Sequence, residues 1–192
     1  MKSTFNVGFK TLHDSQCAQK WPSEGVADFR DVQVSFFLRC KELSLRVLRL
    51  MALGLGLESE VFLDAHKLIG NYGSITLVFQ SREGGLQVLS RAGEYISAPS
   101  ICGTVLVNIA DMMQRWTSDI YVSAVHRVLL PPAGDSSTRQ SLAFFVQPDD
   151  DAMISCCDGS DKYPPVRSLD YLLSRFSESY ITKNTSDMSL IL

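Results

Sequence analysis

No apolar run in this 192-residue chain approaches the roughly 18 residues that a membrane-spanning helix needs, which excludes that class of helix from the reading. The opening residues MKSTFNVGFK lack the apolar core of a secretory signal, so the expected compartment is the cytoplasm. Basic residues are not in excess: Lys plus Arg number 18 against 21 Asp plus Glu, a net charge of −3, so no nucleic-acid footprint is expected. There is no internal repeat and no low-complexity segment. Cysteine is too sparse and too irregular for a disulfide framework. The five (Cys17, Cys40, Cys102, Cys156, Cys157) are odd in number, and the neighbours Cys156 and Cys157 would point to opposite faces of a strand. Reduced thiols are expected. Histidine is scarcer still, with three in all, of which His66 and, on the N-terminal arm, His13 are poor candidates for a metal ligand.

What is present is the composition of a soluble single domain, with 45% apolar and 20% charged residues. Residues 1–25 carry Gly8, Pro22 and Gly25 with the anchors Phe9 and Trp21, and read as an irregular arm. A long helix follows, with Asp28 as candidate N-cap and apolar residues at Phe29, Val32, Phe36, Cys40, Leu43, Val47, Leu50 and Met51; Gly54 and Gly56 end it. Residues 58–67 read as a short second helix. Asp64 and His66 lie two apart there and point in different directions on a helix, which argues against a metal pair. After Gly70 the period changes to that of strands, with Ile75, Leu77 and Phe79 alternating with Thr76, Val78 and Gln80. Strands are expected at 86–89, 94–97, 104–109 (buried), 121–129, 139–146 and 152–157, with one helical turn at 111–116. An amphipathic helix over 168–177 turns Leu169, Leu172, Leu173 and Phe176 to one side, and a polar tail occupies 181–192. Helices, then closely spaced strands, then a helix, describe an α+β domain with a strand-built core.

Chemistry concentrates between Asn108 and Ser141. His126 stands on a strand-like run, and Arg139-Gln140-Ser141 follows on the next. Alternation puts Arg139 and Ser141 on one side of a strand, and a guanidinium with a hydroxyl beside it can hold a carboxylate. Read as scaffold, Trp116 is a core anchor, Asn108 a turn or backbone partner, and Thr117 and Ser123 are structural.

The ordered words NYGSITLVFQ, GGLQV, VNIADMMQRWTSDIYVSAVHRV, RQSLAFFVQPDDDAMI, YPPV and SLDYLLSRFSESY resemble the catalytic part of the iron(II)/2-oxoglutarate-dependent dioxygenases of the isopenicillin N synthase-like group. The resemblance implies a double-stranded β-helix (jelly-roll) core with flanking helices over 26–180, helical at 26–70 and jelly-roll with a closing helix at 71–180. It implies iron(II) and 2-oxoglutarate as cofactors, oxidation of a small-molecule substrate as activity, and release of succinate and carbon dioxide. By position, His126 is the retained distal metal ligand, and Arg139 and Ser141 hold the distal carboxylate of 2-oxoglutarate. The family's His-x-Asp precedes the YGSITL run; here those places hold Ile69 and Asn71, a hydrocarbon and a neutral carboxamide. Core strands, and a tyrosine that contacts 2-oxoglutarate, are expected to be missing at the Gly70-Asn71 join, as is the family's N-terminal domain. An incomplete core is therefore expected, from a truncated or alternatively spliced product or an imperfect gene model. Catalysis by this chain is expected to be impaired. The alternative is a non-catalytic relic, or a splice or gene-model fragment, acting if at all as a binding protein.

Overall fold

In a computed structural model, residues 28–67, 73–129 and 138–181 are described, with side chains in the last helix described through Ser177. Helix α1 (Phe29–Gly54) opens the described chain. Its buried stripe is Phe37, Cys40, Ser44, Leu48, Met51 and Ala52, spaced by three and four residues as one helical face requires. Cys40 and Met51 belong to the expected stripe. Val32, Leu43 and Leu50 do not: they are exposed, because the core lies about one residue further round the helix. Ser44 is tolerated on the buried face because its hydroxyl donates to the Cys40 carbonyl one turn back (2.8 Å). Asp28 makes no side-chain cap. Gly54 leaves room for a close approach: a Cβ there would lie 2.7 Å from the Tyr121 hydroxyl, which donates to the Met51 carbonyl and would have to shift.

The expected second helix is reduced to a single 3-10 turn, Leu63–Ala65. Phe62 and His66, which flank the turn, both reach the core, where each is almost fully buried. Two three-stranded antiparallel sheets follow. The first has the order β4-β1-β6, from β1 (Ile75–Gln80), β4 (Leu106–Ile109) and β6 (Ser141–Val146). The second has the order β3-β2-β5, from β2 (Leu86–Leu89), β3 (Tyr95–Ser97) and β5 (His126–Val128). A two-stranded ladder, β7 (Met153–Ile154) with β8 (Val166–Arg167), leads into the closing helix. Helix α2 (Asp111–Trp116) lies between β4 and β5, and α3 (Ser168–Ile181) closes the chain.

Register shows which way each side chain faces. Ile75, Leu77 and Phe79 of β1 stand opposite Val146, Phe144 and Leu142 of β6. This face packs on α1, with Phe36 against Phe79 and Phe37 against Phe144 at ring separations of 5.0 and 5.2 Å. The opposite face carries Thr76, Val78 and Gln80 of β1, Ala143 and Ser141 of β6, and Leu106 and Asn108 of β4.

Several expected strands are shorter than their patterns. The 104–109 strand is Leu106–Ile109 and only half-buried, with Val107 exposed, because it pairs on one side only among the described residues. The 121–129 strand forms a ladder only over His126–Val128. Upstream of it, side chains replace the ladder: Thr117 accepts from the Tyr121 amide and Gln114 from the Ser123 amide. The expected 139–146 strand starts at Ser141, and that at 152–157 is confined to Met153–Ile154. On α3 the inward side chains are Ser168, Leu169, Tyr171 and Leu172, while Leu173 and Phe176 are exposed. Ser168 is buried because its hydroxyl donates to the Pro148 carbonyl and accepts from Gln147. Trp116 is a core anchor, in edge contact with Phe62 and stacked on His66. Cys40, Cys102, Cys156 and Cys157 are free thiols.

Candidate functional site

The face of the first sheet that looks away from α1 holds the chemistry. Gln80 at the end of β1 stands opposite Ser141 at the start of β6. Arg139, two residues before Ser141, lies on the same side and reaches across both. Its Nη1 donates to Ser141 Oγ (3.3 Å), its Nη2 to Gln80 Oε1 (3.3 Å) and its Nε to the Gly84 carbonyl (2.8 Å). Gly84 and Gly85 form the left-handed turn (φ 70° and 87°) that opens β2. Glycine at 85 is set by both conformation and space, since a Cβ would sit 3.1 Å from the Leu129 carbonyl and 3.9 Å from Arg139 Cδ. The turn thus joins Arg139 to the second sheet.

His126 stands on that second sheet, directly opposite Val88, which also faces Ile96. Leu86 and Val128 share this side. The other side carries the outward cluster of Arg127, Gln87 and Tyr95, with the guanidinium bonded to Gln87 and seated 3.8 Å over the Tyr95 ring. His126 Nδ1 lies 3.0 Å from the Ala124 carbonyl. A carbonyl only accepts, so Nδ1 is the donor, and Nε2 is the ring nitrogen left to meet a ligand. The ring is exposed. Leu129, whose amide bonds Gly85, is three strand residues from His126, roughly 10 Å along β5. The Gly84-Gly85 turn thus links the Arg139 cluster to the strand that carries His126, with no hydrogen bond between the two side chains among the described residues.

The 2-oxoglutarate–iron(II) oxygenase superfamily model matches residues 68–148. A full-length Neurospora crassa protein, solved in complex with alpha-KG and 5-formyluracil, superposes with a TM-score of 0.75 at 30% identity; the match covers 89% of this chain and 67% of that one. The chain belongs to the 2-oxoglutarate–iron(II) oxygenase superfamily. Its two sheets are those of the family's double-stranded β-helix, covered in part. Among curated relatives, a 2-oxoglutarate-Fe(II) type oxidoreductase of Metarhizium majus is 41% identical over 55% of this chain and 29% of its own length. A proline hydroxylase of Petromyces alliaceus is 30% identical over 80% of this chain and 58% of its own. The chain spans less than two thirds of these curated relatives.

Oxygenases of this superfamily work with iron(II) and 2-oxoglutarate; one similar structure, JOX2, is a complex with 2OG, Fe and JA (TM-score 0.69, 25% identity). The facial iron site of such proteins needs two imidazoles and a carboxylate. Among the described residues, no three His, Cys, Asp or Glu side chains converge, so the described donors do not fit iron(II). Ile69 and Asn71 lie outside the described residues, as do His13 and Trp21. Arg139 and Ser141 do come together, on one side of the sheet as strand alternation implies.

Two further residues, Gln80 and His66, gain their roles only in the folded chain. Gln80 joins the Arg139 cluster, and strand parity with Thr76 and Val78 was the signal for it. His66 is a core histidine. Its Nδ1 donates to the Phe62 carbonyl, and its Nε2 accepts from the Ser74 hydroxyl at 2.8 Å. Burial pushes its pKa down to about 4; the Phe62 bond and the Asp149 charge oppose the shift without overcoming it.

Proposed function

We propose that this chain is an oxygenase-fold protein that recognises 2-oxoglutarate through Arg139 and Ser141 but does not assemble an iron(II) centre from its own residues. It is therefore impaired in the small-molecule oxidation that its family carries out. The observation that carries this reading is the Arg139 guanidinium, held by three neutral acceptors on a strand face away from α1. His126 is the retained distal metal ligand, with Nε2 as its available donor. Ile69 and Asn71 stand where the family resemblance expects histidine and carboxylate, and neither offers an anionic or imidazole ligand. One imidazole cannot order a divalent cation against water without its partners.

The test is an anaerobic thermal melt with manganese(II), with 2-oxoglutarate, and with both, since a ligand that binds only the folded state raises the midpoint. The expected result is a rise with 2-oxoglutarate and no further rise with manganese(II). A manganese-dependent rise that disappears in His126→Ala would restore the oxygenase reading. A second reading rests on Ile96, Val125 and Leu142, all more than half exposed: a non-catalytic binding protein whose uncovered sheet faces take a protein partner. A chain that binds no hydrophobic dye in its native state would sink that second reading.

A further inference from the structure

Charge does not hold Arg139 in place. Arg46, Arg49, Arg167 and Arg175 each close on a carboxylate. Arg139 makes no ion pair among the described residues, and its acceptors are a carbonyl, a carboxamide and a hydroxyl. A guanidinium has five N–H donors in a plane. Among the described residues three are engaged, which leaves two, one on Nη1 and one on Nη2. Two coplanar donors on the terminal nitrogens are what a carboxylate takes as a bidentate partner.

Gln80 controls this presentation. Its Nε2 donates to the Ala98 carbonyl at 3.0 Å. Because that carbonyl can only accept, the amide is oriented with its NH2 group towards Ala98 and its oxygen towards Arg139. Both ends of the bridge rest on backbone that is itself tied down: the Ala98 amide donates to the Leu86 carbonyl (2.9 Å), and Ser100 Oγ donates to the Gln80 carbonyl (3.0 Å). The Ser81 amide and the Gln140 carbonyl, 2.9 Å apart, extend the β1–β6 pairing beneath the cluster.

We propose that Gln80 is a positioning residue for 2-oxoglutarate: its amide orients the Arg139 guanidinium with a neutral acceptor, leaving the full positive charge and a coplanar pair of N–H groups for the distal carboxylate. The proposal rests on the reading of Arg139 as the carboxylate holder. Neutrality is the point of the choice. Glutamate has the same shape and would accept the same N–H, yet it would cancel the charge that draws the ligand. Methionine fills the same space and accepts almost nothing, so the guanidinium would keep its charge but lose its orientation.

The experiment is calorimetric titration of 2-oxoglutarate into the full chain, with a ligand-free melt of every protein, for the wild type, Gln80→Glu, Gln80→Met and Arg139→Ala. The expected result is binding by the wild type, a loss of about tenfold or more in a Gln80→Glu chain that still melts cooperatively, a smaller loss in Gln80→Met, and no detectable binding by Arg139→Ala. Wild-type affinity in Gln80→Glu overturns the positioning role alone. Losses in both Gln80 variants that merely follow lowered melting temperatures also overturn it, since that is a structural role. If Gln80→Glu does not melt cooperatively, weaker binding by a stably folded Gln80→Met supports the role and unchanged binding refutes it. No wild-type binding, or binding that survives Arg139→Ala, overturns the carboxylate site itself and the proposal with it.

Discussion

His66 illustrates how one side chain can tie three elements together and carry a pH dependence while doing so. Both ring nitrogens are bonded, to Phe62 before the 3-10 turn and to Ser74 at the entry to β1, and the ring stacks on Trp116 of α2. The imidazole is neutral in the folded chain, with its pKa lowered from 6.5 to about 4. The unfolded chain takes up the proton first as pH falls. Stability is therefore intact above about pH 6.5, declines between there and about pH 4, and levels off below. The loss from this group is about 3 kcal/mol in all. A pH series of urea midpoints checks it, and His66→Gln should flatten the slope in that window. Asp119 gives a second residue-scale expectation. It sits at φ 68° after Ser118 at φ 52° and accepts from Gln114, Tyr163 and Lys162. Asp119→Ala keeps the unfavourable backbone conformation and loses every one of these bonds, so its melting temperature falls, whereas Asp119→Asn, which tolerates positive φ, falls less.

At the scale of elements, the two faces of the sheets differ sharply. The α1-facing side is closed at its centre, where Leu77 is fully buried between helix and sheet, and open at its edges, where Leu142 and Val107 are exposed; Leu77→Ala is expected to cost about 2–5 kcal/mol in denaturant unfolding. On the His126 side of the second sheet, Ile96 is 54% exposed. Ile96→Thr should change stability by no more than about 0.5 kcal/mol, measured the same way, because little packing is removed. An Ile96→Thr cost comparable to that of Leu77→Ala would mean that this face is covered in solution. The outer strands β3, β4, β5 and β6 each pair on one side only among the described residues, the arrangement that invites strand addition.

For the whole molecule, the expectation concerns coupling between fold and ligand. A ligand at one hundred times its Kd stabilises the folded state by about 2.7 kcal/mol. For a chain of this length that is roughly 5–10 °C in melting temperature. Such a rise with 2-oxoglutarate, unchanged in His126→Ala and absent in Arg139→Ala, is the pattern expected of a carboxylate site that works without a metal; differential scanning fluorimetry measures it. Ligand-independent melting would mean that Arg139 is purely structural.

The amino-acid sequence was enough to determine the family, the run of strands after Gly70, the face of β1, the core role of Trp116 and the pairing of Arg139 with Ser141. Each of these depends on local order or on period-two alternation, which a single chain displays directly. Only the tertiary structure decided the rest. Which stripe of α1 is buried, the collapse of 58–67 to one turn, and the short ladder at His126 follow from what packs against each segment, and no local pattern encodes that. The same holds for Gln80 and His66, whose partners, Arg139 and Trp116, are far away in sequence and meet them only when the sheets and helices close.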